Sequence, residues 1–531
     1  MQAIIPFLVL VSLASAQAPA PIIDVGYARY QGIVNTRTKI STYLGIRYAA
    51  APVGNLRFRA PQSPPFLPGV QQATSRGPEC WQTGPGNSPT NPYPIRFTDT
   101  SLGDDDCLFL NVHFPGSVVP TRPLPVVFWI HGGGYVGGSA HRYNGDDLVR
   151  EALNGVVVVI IQYRLGIFGF LSGSKVKANG ALNAGLLDQE FALKWVRQHI
   201  SKFGGDPNRV TIWGESAGAG SVLQHVIARN GRTSPPLFRA AMSSSSFLPS
   251  QHPFNGAVPE SIFNQVVSQV SCNSSPDVMR CLRAANITQL QTANDRVNRA
   301  GFFGTFATVP VIDGEFITER PTQALKRGRI NGRALLAMTN TREGNDFVDQ
   351  RTAGTVTAAD YTRRLFPYIG VVNAATAARL YAGVGAPIDQ VNAIMGEAIF
   401  ICPTYFMLNA FPGTSYKGEF AVNNALHGRD ITSYFPSSSN SSGAPAFNNP
   451  AFLIAFSGAF LNFATSLDPN RKIDRRNITP LWRTYNQRSF EMRFNRTAGQ
   501  VGQPDIRGFW TPEALKGRCN FWERVSHLTA Q

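Results

Sequence analysis

The sequence predicts an α/β fold in which a mostly parallel central sheet is covered by helices on both faces. Short runs of consecutive apolar residues, typical of strands buried on both sides, alternate with helical patterns such as 187–199. The four clearest runs are 126–130, 156–161, 210–213 and 335–338. Sites in parallel sheets lie beyond the carboxyl ends of the strands. The residues that follow these runs are therefore the first candidates for a functional site.

The composition is typical of a folded chain and disfavours several classes of function. Of 531 residues, 43% are hydrophobic and 15% are charged, which fits neither a disordered chain nor a polytopic membrane protein. The formal net charge is +16, but the basic residues are scattered along the chain. Scattered charge favours a solvated basic surface over a nucleic-acid-binding patch. We therefore expect no nucleic-acid partner, and the lack of any CxxC pair makes a zinc or redox site unexpected.

The N-terminus has the pattern of an export signal. Residues 3–14 carry no charge, and Ala14, Ser15 and Ala16 form a small-residue cleavage pattern before Gln17. The apolar stretch is too short to span a bilayer. We expect residues 1–16 to be a signal peptide and the protein to be secreted to the extracellular space, without a stable membrane anchor.

Export would make disulfides and N-linked glycans possible. Six cysteines fit three disulfides, although six cysteines allow 15 pairings. They are Cys80, Cys107, Cys272, Cys281, Cys402 and Cys519. Five Asn-x-Ser/Thr sequons, each a weak signal alone, are candidate glycosylation sites. They begin at Asn273, Asn286, Asn440, Asn477 and Asn495.

The strongest motif is Gly214-Glu-Ser216-Ala-Gly218, between a predicted strand and a predicted helix. A sharp strand-to-helix turn of this kind strains the backbone of the serine and exposes its hydroxyl above the sheet, so its neighbours must be small. A second motif, His131-Gly-Gly-Gly134, also follows a strand and could present backbone N–H groups to an oxyanion. Ala217, directly after the serine, would complete that set of donors. Together the motifs predict acyl transfer from a Ser216 nucleophile.

The base and the acid are sought later in the chain, because folds with this serine turn order the triad as Ser, acid, His. Of eight histidines, only His427 and His527 lie in the last third. His527 is four residues from the end, where we expect fraying, so His427 is the better candidate. Glu343 follows the fourth strand and is a candidate acid, with Asp313 and Asp346 as open alternatives.

These motifs, in this order, resemble those of the type-B carboxylesterase and lipase family, which includes the cholinesterases and fungal lipases. The resemblance spans most of the chain. Further matching segments are 43–49, 56–58, 105–112, 163–171, 183–189, 203–208, 310–314, 340–344, 427–431, 463–464 and 468–470. The resemblance implies an α/β-hydrolase fold with helical cap insertions, and a single catalytic domain at 17–531.

The resemblance also implies roles for individual residues. It implies Ser216 as nucleophile, Glu343 as acid and His427 as base, and it marks Glu215 as a buried carboxylate beside the nucleophile. The implied oxyanion donors are Gly133, Gly134 and Ala217. The implied disulfides are Cys80–Cys107, Cys272–Cys281 and Cys402–Cys519. One departure is the run Ser243–Ser246, which replaces the family's Gln-Ser-Gly and leaves the support of the triad open.

The segment before Pro310 bears on the substrate. In relatives, residues just before this motif wall the acyl pocket, which implies that Phe306 blocks one side and that Gly304 leaves another open. The alternative is that the phenylalanines here are ordinary core residues. A second difference from the cholinesterases is Phe97, where they carry a tryptophan that stacks on choline, and it argues against a choline ester.

The predicted function is that of a secreted serine esterase that hydrolyses small-molecule carboxylic esters and needs no cofactor or metal. One alternative is an interfacial lipase, which would need an apolar lid between Cys80 and Cys107, but the start of that loop is polar and Pro-rich. Another alternative is a non-catalytic adhesion protein of the same family, although those usually lack a triad member. The sequence carries no signal for an oligomeric state.

Overall fold

The computed structural model of the protein describes residues 17–88, 103–437 and 445–531. The predicted signal peptide, Phe97 and the sequon at Asn440 lie outside the described residues. Within the described part, thirteen strands form one sheet. The strands are β1 (Gln17–Asp24), β2 (Arg29–Asn35), β3 (Ile40–Arg47), β4 (Val70–Gln72), β5 (Phe109–Pro115), β6 (Leu124–Ile130), β7 (Val157–Ile161), β8 (Gly205–Glu215), β9 (Ala240–Ser244), β10 (Leu335–Asn340), β11 (Ser415–Phe420), β12 (Phe490–Arg496) and β13 (Pro504–Trp510).

The sheet has a parallel centre and antiparallel ends. Its order is β1-β2-β3-β5-β7-β6-β8-β9-β10-β11-β12-β13, with β4 paired to β2. All neighbours from β7 to β12 in this order are parallel. The pairs at the two ends of the order are antiparallel. The prediction of an α/β fold with a mostly parallel central sheet is confirmed.

Helices cover this sheet and fill the long connections between its strands. They are α1 (Gly145–Glu151), α2 (Gly166–Phe170), α3 (Ser174–Asn179), α4 (Ala184–His199), α5 (Ala217–Gly231), α6 (Ala257–Gln269), α7 (Val278–Ala284), α8 (Ile287–Arg299), α9 (Pro321–Lys326), α10 (Ala358–Leu365), α11 (Val371–Tyr381), α12 (Pro387–Gly396), α13 (Cys402–Ala410), α14 (Ile431–Tyr434), α15 (Pro450–Ser466) and α16 (Glu513–Thr529). Helices α6–α9 are inserted between β9 and β10, and α10–α13 between β10 and β11.

The central strands are apolar throughout because both of their faces are buried. All five residues of β7 are buried. Side chains alternate across a strand, so Val157, Val159 and Ile161 join one hydrophobic cluster, whereas Val158 and Ile160 join a second cluster on the opposite face. The continuous apolar runs of the sequence are explained by this two-sided burial.

One helical stretch needs a separate explanation because of its composition. Helices α12 and α13 continue into each other through a π-helical segment, Glu397–Ile401, and give the helix Pro387–Ala410. Among the described residues it is the one helix long and apolar enough to cross a membrane, judged by length and composition alone. The most apolar stretch of this helix is 89% buried inside the protein, as expected for a helix in a protein core.

The three disulfides have the pairing that the family resemblance implies. Cys80 is bonded to Cys107, Cys272 to Cys281, and Cys402 to Cys519. The last bond ties the start of α13 to α16, so it holds the C-terminal helix on the fold. The expectation that the chain frays around His527 is wrong, because His527 lies within α16 and the following Gln531 is buried.

Candidate active site

Ser216 stands in the turn between β8 and α5, as the sequence predicts. Its φ of 56° and ψ of −125° lie in a region that residues other than glycine rarely adopt. Its backbone N–H donates to the carbonyl of Ser244 on the neighbouring strand, at 2.9 Å. The turn is tight: a Cβ on Gly218 would lie 2.1 Å from the carbonyl oxygen of Ile130. The glycine is therefore a requirement of the packing, and the strained serine is held at the carboxyl end of its strand.

Glu343 and His427 reach the same edge of the sheet from β10 and β11. Glu343 lies three residues beyond β10 and His427 seven residues beyond β11. A hydrogen bond of 2.6 Å joins Nδ1 of His427 to Oε2 of Glu343. Nε2 of His427 is buried and makes no hydrogen bond to any described residue, Ser216 included. The structure thus brings the acid and the base together, and the second ring nitrogen makes no hydrogen bond within the described part of the chain, with the Glu215 carboxyl 3.3 Å away.

A network of hydrogen bonds holds the Glu343 carboxylate in place. Its Oε1 accepts from the backbone N–H of Asn340 at 2.6 Å and from the hydroxyl of Ser245 at 2.7 Å. The Asn340 side chain donates in turn to Ser245 and to Asp430. Asn340 is the last residue of β10, and Ser245 directly follows β9, so both supports are themselves fixed by the sheet. Because both oxygens of the carboxylate are bonded, its orientation toward the imidazole is determined.

The run Ser243–Ser246 therefore supplies the support that the sequence left open. Besides the bond from Ser245, the hydroxyls of Ser243 and Ser246 bond each other at 2.6 Å. The hydroxyl of Ser244 accepts from the indole N–H of Trp213 at 3.2 Å. All four serines are fully buried, and each has a partner, as buried hydroxyls require.

Three buried carboxyl groups surround His427 and set its protonation. Besides Glu343, they are Glu215, whose Oε1 lies 3.3 Å from Nε2, and Asp430. Burial alone lowers the pKa of His427, but the bond to Glu343 and the negative charges of Glu215, Glu343 and Asp430 outweigh it and raise the pKa to about 9. Burial raises the pKa of Glu215 to about 8, and the charges of Asp430 and Glu343 act in the same direction against that of His427. Both shifts favour the protonated forms of His427 and Glu215 near neutral pH.

The competing candidates lie elsewhere or are bonded differently. Asp313 accepts hydrogen bonds from the backbone N–H groups of Glu315, Phe316 and Ile317, which is a turn-stabilising role. Asp346 is close enough to feel the charge of His427, but burial is the largest influence on it and raises its pKa. No described hydrogen bond joins Asp346 to the imidazole. The geometry favours Glu343.

The glycine loop after β6 packs directly against the serine turn. A Cβ on Gly132 would lie 2.7 Å from the carbonyl of Glu215 and 3.0 Å from Cβ of Ser216. Gly133 and Gly134 both have positive φ, 115° and 64°. In the described part of the chain, their N–H groups donate no hydrogen bond to another residue. Two backbone donors are thus available beside Ser216, next to the N–H of Ala217 at the start of α5.

A largely apolar cavity of about 300 Å³ adjoins the site. We call it the aromatic cavity, because its lining includes Phe247, Phe306, Phe347 and Phe400. Phe347 and Phe400 also contact the ring of His427, with ring centroids 4.9 and 4.5 Å away. The cavity therefore begins next to the imidazole.

Both residues predicted to wall the acyl pocket line the aromatic cavity. The Phe306 ring packs on the glycine loop so closely that a Cβ on Gly134 would lie 2.0 Å from it. Gly304 has a φ of 74°, and a Cβ there would lie 2.0 Å from the carbonyl oxygen of Phe347. An aromatic residue at 304 would clash with this backbone. The backbone of Phe347 thus occupies the space that a larger side chain at 304 would need.

The sequons differ in their surroundings. Asn273 and Asn286 are exposed, and Asn495 is half-buried in β12. Asn477 is only 4% exposed, and its side-chain amide donates to the carbonyl of Ile454. A glycan on that nitrogen would need space and a free amide, so the structure argues against glycosylation at Asn477.

Sequence reasoning did not identify Ser245, Asn340, Asp430, Phe347 and Phe400 as parts of the site. Asn340 and Asp430 lie inside the segments that carry the family resemblance. The resemblance therefore includes their positions but does not predict their contacts. Phe347 and Phe400 carry no local signal, because they lie far apart in the insertion between β10 and β11 and only its packing brings both to His427.

Comparison with known proteins gives a consistent result across the whole chain. The profile of the carboxylesterase family matches residues 19–505. The chain is 30% identical to Lipase 2 of Diutina rugosa, covering 91% of this chain and 93% of that protein. It is 31% identical to carboxylesterase patB of Aspergillus clavatus, covering 81% and 85%. The crystal structure of Aspergillus niger EstA superposes with a TM-score of 0.85 at 29% identity, covering 96% of this chain and 99% of that one.

Proposed function

The chain belongs to the carboxylesterase family and is a carboxylic ester hydrolase, and we propose that Ser216, Glu343 and His427 are its catalytic triad. The observation that carries the proposal is the 2.6 Å bond between Glu343 and His427, at the sheet edge where the strained Ser216 stands. The strand order supports it, because β8, β10 and β11 run parallel and end at the same edge.

In the first half of the reaction, Ser216 Oγ attacks the ester carbonyl and His427 Nε2 takes its proton. Glu343 accepts from Nδ1 and so fixes the tautomer in which Nε2 carries the free lone pair. It also stabilises the imidazolium that forms. We expect the hydrogen bond between Ser216 and Nε2 to form when substrate binds, since catalytic hydrogen bonds are often absent or long without it.

Negative charge develops on the carbonyl oxygen, and hydrogen bonds from the N–H groups of Gly133, Gly134 and Ala217 stabilise it. Each donor of this kind typically lowers the barrier by about 3 kcal/mol. The two glycine N–H groups are not used by other described residues, which supports this role. His427 then protonates the leaving alcohol. In the second half of the reaction, His427 deprotonates a water molecule, which attacks the acyl group and releases the acid from Ser216. No cofactor takes part in this scheme.

The substrate class follows from the aromatic cavity. Its lining is mostly apolar and its volume of about 300 Å³ is at the low end for small-molecule sites. We propose that it holds the acyl group, with Phe306 and Gly304 as wall residues, and that esters of short to medium chain length react fastest. The three disulfides support a secreted enzyme, since such bonds persist in oxidising compartments.

Replacing the nucleophile tests the triad. Ser216→Ala should fold like the parent but lose turnover of p-nitrophenyl butanoate by about 10⁶-fold, because binding and the oxyanion donors alone remain. The control is Ser250→Ala, at a serine that lines the aromatic cavity and donates to Thr529. Ester hydrolysis by a folded Ser216→Ala protein at the parental rate would refute the assignment.

A further inference from the structure

A second depression lies outside the candidate active site, where the 3₁₀ turn Gly54–Leu56 meets helix α7. We call it the arginine basin, and its volume is about 470 Å³. Its lining residues are Asn55, Leu56, Arg59, Gln62, Asp277, Arg280 and Arg283. None of these residues lines the aromatic cavity or contacts the proposed triad, so the basin needs its own explanation.

The three guanidinium groups of the basin have no carboxylate partner among the described ion pairs. Arg283 is only 6% exposed, and its side chain donates to the carbonyl oxygens of Arg57 and Asn179. Arg59 donates to the carbonyl oxygen of Asn55, and no described bond holds the head of Arg280. Carbonyl oxygens satisfy the N–H donors but leave the positive charge uncompensated.

The basin contains one acid, Asp277, which caps a helix. Oδ1 of Asp277 accepts from the backbone N–H of Arg280, at 2.9 Å, and caps helix α7. The basin therefore carries three positive charges against one negative charge. Burial lowers the pKa of Arg283, the charge of Arg59 lowers it further, and the charge of Asp277 acts in the opposite direction.

The backbone around the basin is held by a disulfide and by hydrogen bonds, which favours a defined binding site over a general attraction of charge. The disulfide between Cys272 and Cys281 closes the loop that leads into α7. The guanidinium of Arg57, itself paired with Asp105, donates to the carbonyl oxygens of Arg283 and Ala285. These bonds fix the end of α7 against the chain around Arg57, so the backbone that carries the basin arginines is in place before any ligand arrives.

We propose that the arginine basin binds the phosphate or sulfate group of an anionic ligand, with Arg59 and Arg280 as its main contacts. Each guanidinium offers paired N–H donors whose spacing fits two oxygens of such a group. The side-chain amides of Asn55 and Gln62 lie in the same lining and add neutral donors. An anion would also offset the net positive charge of the basin. The group can come from a free anion or from a charged polymer.

The test compares two variants of equal net charge, measured by titration calorimetry at fixed ionic strength. Arg59→Gln with Arg280→Gln removes the two exposed basin arginines, whereas Arg37→Gln with Arg122→Gln removes two exposed arginines elsewhere. Asn273 and Asn286 flank α7, so glycans are first removed enzymatically. Pyrophosphate represents the free anion and dextran sulfate the polymer-borne group. Melting temperature and ester hydrolysis, which should match the parent in both variants, report folding.

We expect at least one probe to bind the parent and the Arg37/Arg122 variant equally and the basin variant at least tenfold more weakly. Saturable binding of pyrophosphate assigns a free anion, and binding of dextran sulfate alone assigns a polymer. Equal affinities of the two double variants, or no saturable binding by the parent, would overturn the proposal. If the basin double variant does not fold, the single variant Arg280→Glu, at an exposed position, gives the same comparison. The readout is binding, so it is independent of the proposed triad.

Discussion

The proposed triad and the aromatic cavity lie side by side, but they are held by different interactions. Glu343 and His427 are fixed by directed hydrogen bonds, and each comes from a loop that begins at the end of a strand. Phe306 comes from the insertion between β9 and β10, whereas Phe347 and Phe400 come from distant parts of the insertion between β10 and β11. Ring packing holds them against each other and against His427. The sheet sets the position of the polar groups, whereas the insertions set the shape of the cavity.

This difference predicts two kinds of mutational effect. Hydrogen bonds at strand ends act in one geometry, so removing one partner should lower the rate for every ester. Packed rings tolerate replacement at a modest cost, so a change there should alter the order of preference among esters. Glu343→Gln tests the polar groups, Phe306→Ala tests the rings, and Glu215→Gln tests the charges that surround His427.

The largest effect in this set is expected for Glu343→Gln. The amide can donate to Nδ1 and would favour the wrong tautomer of His427, which lowers kcat by about 10⁴-fold in enzymes of this mechanism. Steady-state rates on p-nitrophenyl butanoate measure it. The matched control is Asp346→Asn, a carboxyl near the imidazole without a described bond to it, for which we expect less than a tenfold loss. Equal losses in the two variants would remove the special role of Glu343.

A smaller and selective effect is expected for Phe306→Ala. Enlarging the aromatic cavity should raise the ratio of kcat/KM for an octanoyl ester to that for a butanoyl ester, since each accommodated methylene contributes up to about 0.8 kcal/mol. Phe306 also packs on Gly134, so both rates can fall together, but their ratio cancels that loss. Phe303→Ala is the control, because Phe303 does not line the cavity. An unchanged ratio would make Phe306 an ordinary core residue.

The smallest effect concerns the pH profile. An unperturbed imidazole would give a rise in rate near pH 6.5, but the surrounding carboxylates raise the pKa of His427 to about 9. The base must be neutral, so kcat/KM should rise with pH across the alkaline range. Glu215→Gln removes one of those negative charges and should move the rise to lower pH.

The control for the pH profile is Glu315→Gln, at an exposed carboxylate paired with Lys177 on the surface. It should leave the midpoint unchanged. A Glu215→Gln profile that coincides with the parent, or that moves to higher pH, would show that Glu215 does not influence the protonation of His427.

Much of the polar site could be predicted from the sequence because its residues are tied to strand ends. The predicted strand 210–213 leads into Ser216, and the structure extends it at both ends to β8, Gly205–Glu215, which stops directly before the serine. Glu343 could not be separated from Asp313 and Asp346 by position alone, since three carboxylates follow apolar segments. The family resemblance favours Glu343 among the three. The structure supports Glu343 with the hydrogen bonds that Asn340 and Ser245 donate to its carboxylate.

The aromatic cavity could be predicted only in part, because its walls depend on contacts between distant segments. Phe306 and Gly304 could be placed by their distance from Pro310. Phe347 and Phe400 could not, since nothing in their local pattern distinguishes a ring that faces His427 from a buried core ring. The raised pKa of His427 could not be predicted from the sequence either. It depends on three carboxyl groups, one from β8 and two from different loops.

Covalent labelling tests the central claim, a serine activated by its neighbours at the sheet edge, most directly. The parent protein is treated with a fluorophosphonate, and peptide mass spectrometry locates the label. We predict one label per chain, on the peptide that contains Ser216, and at least a hundredfold slower labelling in His427→Gln. A label on another residue, or equal labelling of the two proteins, would contradict the account.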